Sequence, residues 1–256
     1  MNLARTVSSL LFILVAFTAG RATAVVDDAV TFAQLAKAAK VYLRDSAEFP
    51  LSTKVEVTFT DLAGHVRNHK TGTYKYNFHG YNARSSTARI RLDASWRTAL
   101  SGNTLRRAAI ATSIAPILLG ILLEPDTEQR TTLMQSPGAS SGLVAVTMKP
   151  IADCPLFQWQ NERYASRSFC GSYELQVAND DFVLKHFAFD AALLPAPADM
   201  DVLGSATISR YHSEAEFQKV FLPGDLKPFL VPKRVTVTVE TDKGRLVMAS
   251  DYTLRK

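Results

Sequence analysis

Apolar and polar positions alternate with two different periods along this chain, and the boundary between the periods is sharp. Thr31 is placed to cap a segment, FAQLAKAAKVYLRD, in which Phe32, Leu35, Ala36, Ala39, Val41, Tyr42 and Leu43 recur at helical spacing. Asp45-Ser46 and Phe49-Pro50 end it. The period then falls to two. Val55, Val57 and Phe59 share one face of a strand, and Asp61-Leu62-Ala63-Gly64 turns the chain. Arg67 to Gly80 forms a second strand, with Tyr74, Tyr76 and Phe78 on one side and Lys75, Asn77 and His79 on the other. Thr87 to Ala94 follows. Short turns between one-sided strands predict an antiparallel meander with one apolar and one wet face.

The run RRAAIATSIAPILLGILLE, Arg106 to Glu124, interrupts this pattern and is the most apolar stretch beyond the N-terminus. Asn103 or Thr104 can cap it, and Glu124-Pro125-Asp126 ends it. Its apolar core, Ala108 to Leu123, is short for a bilayer span, which needs about 20 residues. Thr112-Ser113, Pro116 and Gly120 break it. Pro116 removes a helical hydrogen bond, and Gly120 weakens the helix by about 1 kcal/mol relative to Ala. The segment is expected to cover the sheet, either as permanent core or as a movable lid.

Strands resume at Gln129–Gln135, Leu143–Lys149, Phe169–Val177 and Asp181–Asp190. After a Pro/Ala-rich loop near 195 come Val202–His212, a helical turn at Glu214–Phe221, and the strand VPKRVTVTVE at Val231–Glu240. Asp242-Lys243-Gly244 turns into Arg245–Leu254. The prediction is a mainly β (α+β) fold. About ten antiparallel strands curl into a half-open barrel, and the N-terminal and mid-chain helices cover its concave face.

Residues 1–24 carry the marks of a secretory signal: Arg5, the apolar core Leu10–Phe17, and Ala22-Thr23-Ala24 as a cleavage site. Residues 25–256 then form one β-rich domain in the periplasm or outside the cell. Removing the signal takes away Arg5 and Arg21 and no acid, lowering the formal charge from +5 to +3. That mild charge argues against nucleic acid and leaves room for transient contact with a membrane surface. In an oxidising compartment Cys154 and Cys170, the two cysteines of the chain, are expected to form a disulfide that closes the loop PLFQWQNERYASRSF between them.

No catalytic constellation stands out. Gly138-Ala139-Ser140-Ser141-Gly142 matches G-x-S-x-G, the serine-hydrolase pattern, but a strand follows where the elbow needs a helix. A hairpin loop is expected, with hydrolysis at Ser140 or Ser141 as the alternative function. His65 and His69 read as turn and strand residues rather than zinc ligands, and no cofactor or metal motif is evident. The aromatic strand faces are the better clue. Phe59, Tyr74, Tyr76 and Phe78, with Ile114, Ile117, Leu118 and Ile121 from the apolar helix, are the candidate lining of an apolar cavity.

The early run KTGTYKYNFHGYNARSSTARIRLD and the ending PKRVTVTVETDKGRLVMASDYTLRK, set around a mid-chain apolar helix, resemble the layout of the LolA/LolB-like lipoprotein carriers. That resemblance implies an unclosed barrel binding acyl chains, with a lipid or acylated protein as partner and no enzymatic activity. A structural envelope module with a filled core is the remaining expectation.

Overall fold

The alternation seen in the sequence becomes one sheet because each strand has one face that must leave water. The computed structural model describes residues 29–42, 48–79, 81–82, 87–88, 103–123, 127–140, 142–151, 154–159, 162–166, 169–178, 181–191, 206–221 and 229–255. Its strands are β1 (Glu48–Asp61), β2 (Val66–His79), β3 (Tyr81–Asn82), β4 (Thr87–Ala88), β5 (Thr131–Pro137), β6 (Leu143–Pro150), β7 (Cys154–Trp159), β8 (Glu162–Ser166), β9 (Phe169–Ala178), β10 (Asp181–Ala191), β11 (Ile208–Val220), β12 (Phe229–Thr241) and β13 (Gly244–Leu254). Nine of them form an antiparallel sheet in the order β2-β1-β13-β12-β11-β10-β9-β6-β5. β2 and β5 are not joined, so the sheet is a half-open barrel and the fold is mainly β.

The predicted period-two faces hold. Leu51, Val55, Val57 and Phe59 of β1 are buried, as are Val235, Val237 and Val239 of β12 and Leu246, Met248 and Tyr252 of β13. Lys54 and Glu56 point the other way. On β10 the inward residues are Leu184, Phe187 and Phe189; the register slips between Leu184 and His186, and the bulge keeps both phenylalanines inside. Phe187 packs 5.5 Å from Tyr173 of β9, centroid to centroid.

Helix α1 (Phe32–Tyr42) begins as the sequence indicates. The Thr31 hydroxyl accepts from Gln34 N at 3.2 Å, and Gln34 Oε1 accepts from Thr31 N at 2.8 Å, a reciprocal capping box. Val30 N donates to Gln135 Oε1 at 2.6 Å and ties the helix start to β5. Helix α2 (Asn103–Ile114) continues directly into a 3₁₀ helix, Ala115–Leu123. The change of pitch falls at Pro116, which has no N–H for an α-type bond to the residue four back. A short helix, α3 (Thr127–Arg130), leads into β5. α2 packs on β1, β2, β12 and β13, while the 3₁₀ segment and α1 pack on β10 and β12. The helices therefore lie across one face of the sheet, and the core is the layer between.

Four sequence expectations are corrected. The helical turn expected at Glu214–Phe221 is part of β11, whose inward side chains Ser213, Ala215 and Phe217 alternate with polar ones. Gln129 and Arg130 belong to α3, so β5 starts only at Thr131. The residues between the cysteines are not a plain loop, because β7 and β8 pair as a hairpin of their own. The expected Cys154–Cys170 disulfide is not formed: Cys170 is a free, half-buried thiol on β9. Cys154 is held by the β7–β8 ladder opposite Ser166, while Cys170 is registered against Asp190 in the main sheet. The Cys154 side chain, residues 1–24, most of the expected strand Thr87–Ala94 and the loop near 195 lie outside the described residues.

Candidate functional site at the helix–sheet interface

The 103–123 segment gives this interface its character. As one continuous helical stretch it has 21 residues, about 36 Å at α and 3₁₀ rises. That exceeds the length read from the sequence and is long and apolar enough to cross a membrane. Yet 75% of its most apolar window is buried against the rest of the chain, as in a core helix. Its two halves differ. The 3₁₀ half buries the apolar side chains Ala115, Leu118, Leu119, Ile121 and Leu122. The α half presents Leu105, Ala108 and Ala109, then Thr112 and Ser113, which are also buried.

Those two hydroxyls meet others from the sheet. Thr112 Oγ1 lies 2.7 Å from Ser250 Oγ on β13 and donates to the Ala108 carbonyl at 2.9 Å. Ser113 Oγ is 3.4 Å from the Tyr74 hydroxyl on β2. The register places Thr53 of β1 between Tyr74 of β2 and Tyr252 of β13. Burial pushes the Tyr252 phenol above its ordinary pKa, and the neighbouring hydroxyls of Thr112, Ser113, Ser250 and Tyr74 offset part of that shift. Thr53 Oγ1 is buried and has no hydrogen-bond partner among the described residues. The result is a cluster of six uncharged, buried hydroxyls where α2 meets β1, β2 and β13.

Of the predicted lining, Tyr74, Leu118 and Ile121 are buried at this interface. Phe59 is buried too, but lies six residues along β1 from Thr53, about 20 Å away, so the strand separates it from Tyr74. Tyr76 and Phe78 lie on β2, and Ile114 and Ile117 on the mid-chain segment; their side chains are outside the described residues. The sequence reading missed Thr53, Ser250 and Tyr252. Their signal was present, as polar residues at the inward positions of strands whose other inward positions are Leu, Val and Met.

The outer face of the sheet carries the charges. Asp190 accepts from Arg210 Nη2 at 2.7 Å and lies 3.0 Å from His212 Nδ1. Glu214 Oε2 stands 3.8 Å from His212 Nε2 and 3.7 Å from His186 Nε2. Beside them runs an open groove of about 390 Å³ lined by Glu174, Lys185, His186, Glu216, Phe217 and Lys233. Exposed pairs of this kind contribute about 0–1 kcal/mol each. Among the described residues, no three His, Cys, Asp or Glu are grouped to hold a metal ion. The G-x-S-x-G stretch is the hairpin turn between β5 and β6: Gly138 N donates to Leu143 O at 2.9 Å, and Gly142 has φ +82°. Ser140 is exposed on that turn rather than held on a strand–helix elbow.

No family model and no curated protein matches the chain. Among solved structures, the crystal structure of the LolA superfamily protein NE2245 from Nitrosomonas europaea is similar over 89% of this chain and 95% of that one. The identity is 11% and the TM-score 0.33.

Proposed function

We propose that the chain is an exported, non-enzymatic binding protein that holds the acyl chain of a lipid or acylated protein between the 103–123 segment and the inner face of the sheet. The observation that carries this reading is the way that segment is built. It covers an apolar sheet face, yet nine of its residues are in 3₁₀ geometry, and such runs rarely exceed three or four because their hydrogen bonds are poorer. Its α half rests on hydroxyl contacts to β13 and β2. A cover with weak internal bonds and polar footings is suited to lifting from an apolar surface. The secretory pattern of residues 1–24 supports a periplasmic or extracellular location.

The second reading is an envelope interaction module with a permanently filled core, favoured by the complete burial of Leu119, Val235, Val237 and Met248. One experiment separates the two. In a Cys154→Ser, Cys170→Ser background, Thr112→Cys with Ser250→Cys would bridge two side chains that already touch. The acyl-binding reading expects a fluorescent monoacylglycerol to bind the reduced protein and to be excluded by the oxidised one. Absence of binding in the reduced state, together with no co-purifying lipid by mass spectrometry, would favour the filled core.

A further inference from the structure

We propose that the hydroxyl cluster of Thr53, Tyr74, Thr112, Ser113, Ser250 and Tyr252 is a subsite for the uncharged linkage of an acyl ligand, an ester or amide carbonyl, and that it discriminates against free carboxylates. This rests on the acyl-binding reading above. The cluster lies beside the apolar 3₁₀ segment, so a ligand whose tail runs under Leu118 and Leu119 has its polar end here. Every polar side chain in the cluster is a hydroxyl, and none carries charge. A hydroxyl offers one donor and two acceptor sites. Thr112 spends its proton on the Ala108 carbonyl and can accept from Ser250. Thr53 Oγ1 is 1% exposed and unpartnered among the described residues, which leaves a spare donor between two tyrosines.

A buried donor without an acceptor is costly, and a carbonyl oxygen supplies the acceptor without bringing charge. A carboxylate would bring a charge into a cluster whose described side chains include no cation to meet it, where the loss of hydration outweighs what a few neutral hydroxyls return. Size and tail length leave that distinction untouched, so the chemistry of the head decides it.

The test is a displacement assay on the delipidated full chain at pH about 9, where fatty acids are ionised. A fluorescent monoacylglycerol serves as the probe, with monopalmitoylglycerol and palmitate as competitors. The neutral ligand should displace the probe at a concentration lower by about tenfold or more. Thr53→Val and Tyr252→Phe, each checked for folding by circular dichroism, should collapse that ratio while leaving palmitate binding in place. Equal displacement by the two competitors in the unmodified protein overturns the inference. So does a ratio that survives both substitutions. Binding of neither competitor nor probe would instead overturn the acyl-binding reading itself.

Discussion

Thr112→Val tests how α2 is held to the sheet. The substitution keeps the shape of the side chain and replaces its hydroxyl with a methyl group. Thr112 donates to the Ala108 carbonyl, so the 2.7 Å contact with Ser250 has Ser250 as donor. Valine removes the acceptor and leaves the Ser250 hydroxyl short of a partner at a fully buried position. Losing one partner of a buried pair costs about 1–3 kcal/mol, whereas replacing both with apolar groups is close to neutral. Thr112→Val alone should therefore destabilise by about 2 kcal/mol. With a urea slope of about 2 kcal/mol/M, its midpoint falls by about 1 M. Ser250→Ala should then act as a rescue: the double variant is expected to be more stable than Thr112→Val alone, with a coupling of about 1 kcal/mol or more. Urea unfolding of the four proteins, followed by circular dichroism at constant slope, gives the cycle. A double variant whose loss equals the sum of the single losses would refute the pairing of these hydroxyls.

Two further outcomes are expected. Gly244 opens β13 at φ +146°, and a Cβ there would press on the carbonyl oxygen of Thr60 and on Asp61; Gly244→Ala should cost about 1–3 kcal/mol or more in backbone strain, measured as a lowered Tm. Asp61 organises the β1–β2 turn by accepting from Ala63 N, His65 N and Arg67 Nε, and the His65 backbone bond first, then Arg67, holds its carboxyl below the ordinary value. That contribution is present above the unfolded-state pKa and is lost as pH falls through the folded one. The Tm gap between the unmodified protein and Asp61→Asn should hold steady near neutrality and close in the acid range; a gap that widens with acid would show that the turn does not depend on the charged form.

The sheet was legible wherever inward side chains are large. Val235, Val237 and Val239 announce β12 to within two residues at each end, while Val55, Val57 and Phe59 announce only the second half of β1, which starts at Glu48 and includes the Phe49-Pro50 pair read as a helix end. β11 was half hidden because two of its inward positions, Ser213 and Ala215, are too small to contrast with His212, Glu214 and Glu216. Between Glu214 and Phe221 the chain then read as a helical turn. Pro116 signalled a defect in the mid-chain helix, but not that the following residues would tighten into a 3₁₀ helix. The hydroxyl cluster was the least legible part. Thr53, Thr112 and Ser250 come from distant stretches, and only the register of β1 with β13 and the packing of α2 bring them together.

The placement of β13 between β1 and β12 has a consequence for the order of assembly. Leu51 pairs with Leu254 and Asp61 with Gly244, so closing the middle of the sheet joins segments roughly two hundred residues apart, and contacts of such long range slow folding. The β1–β2 hairpin can form early, but its exposed edge must wait for a strand encoded near the other end of the chain. A ribosome-bound chain would therefore carry an unpaired β1 edge, and the protein would reach its folded state in one late, cooperative step rather than by accretion from its first strands.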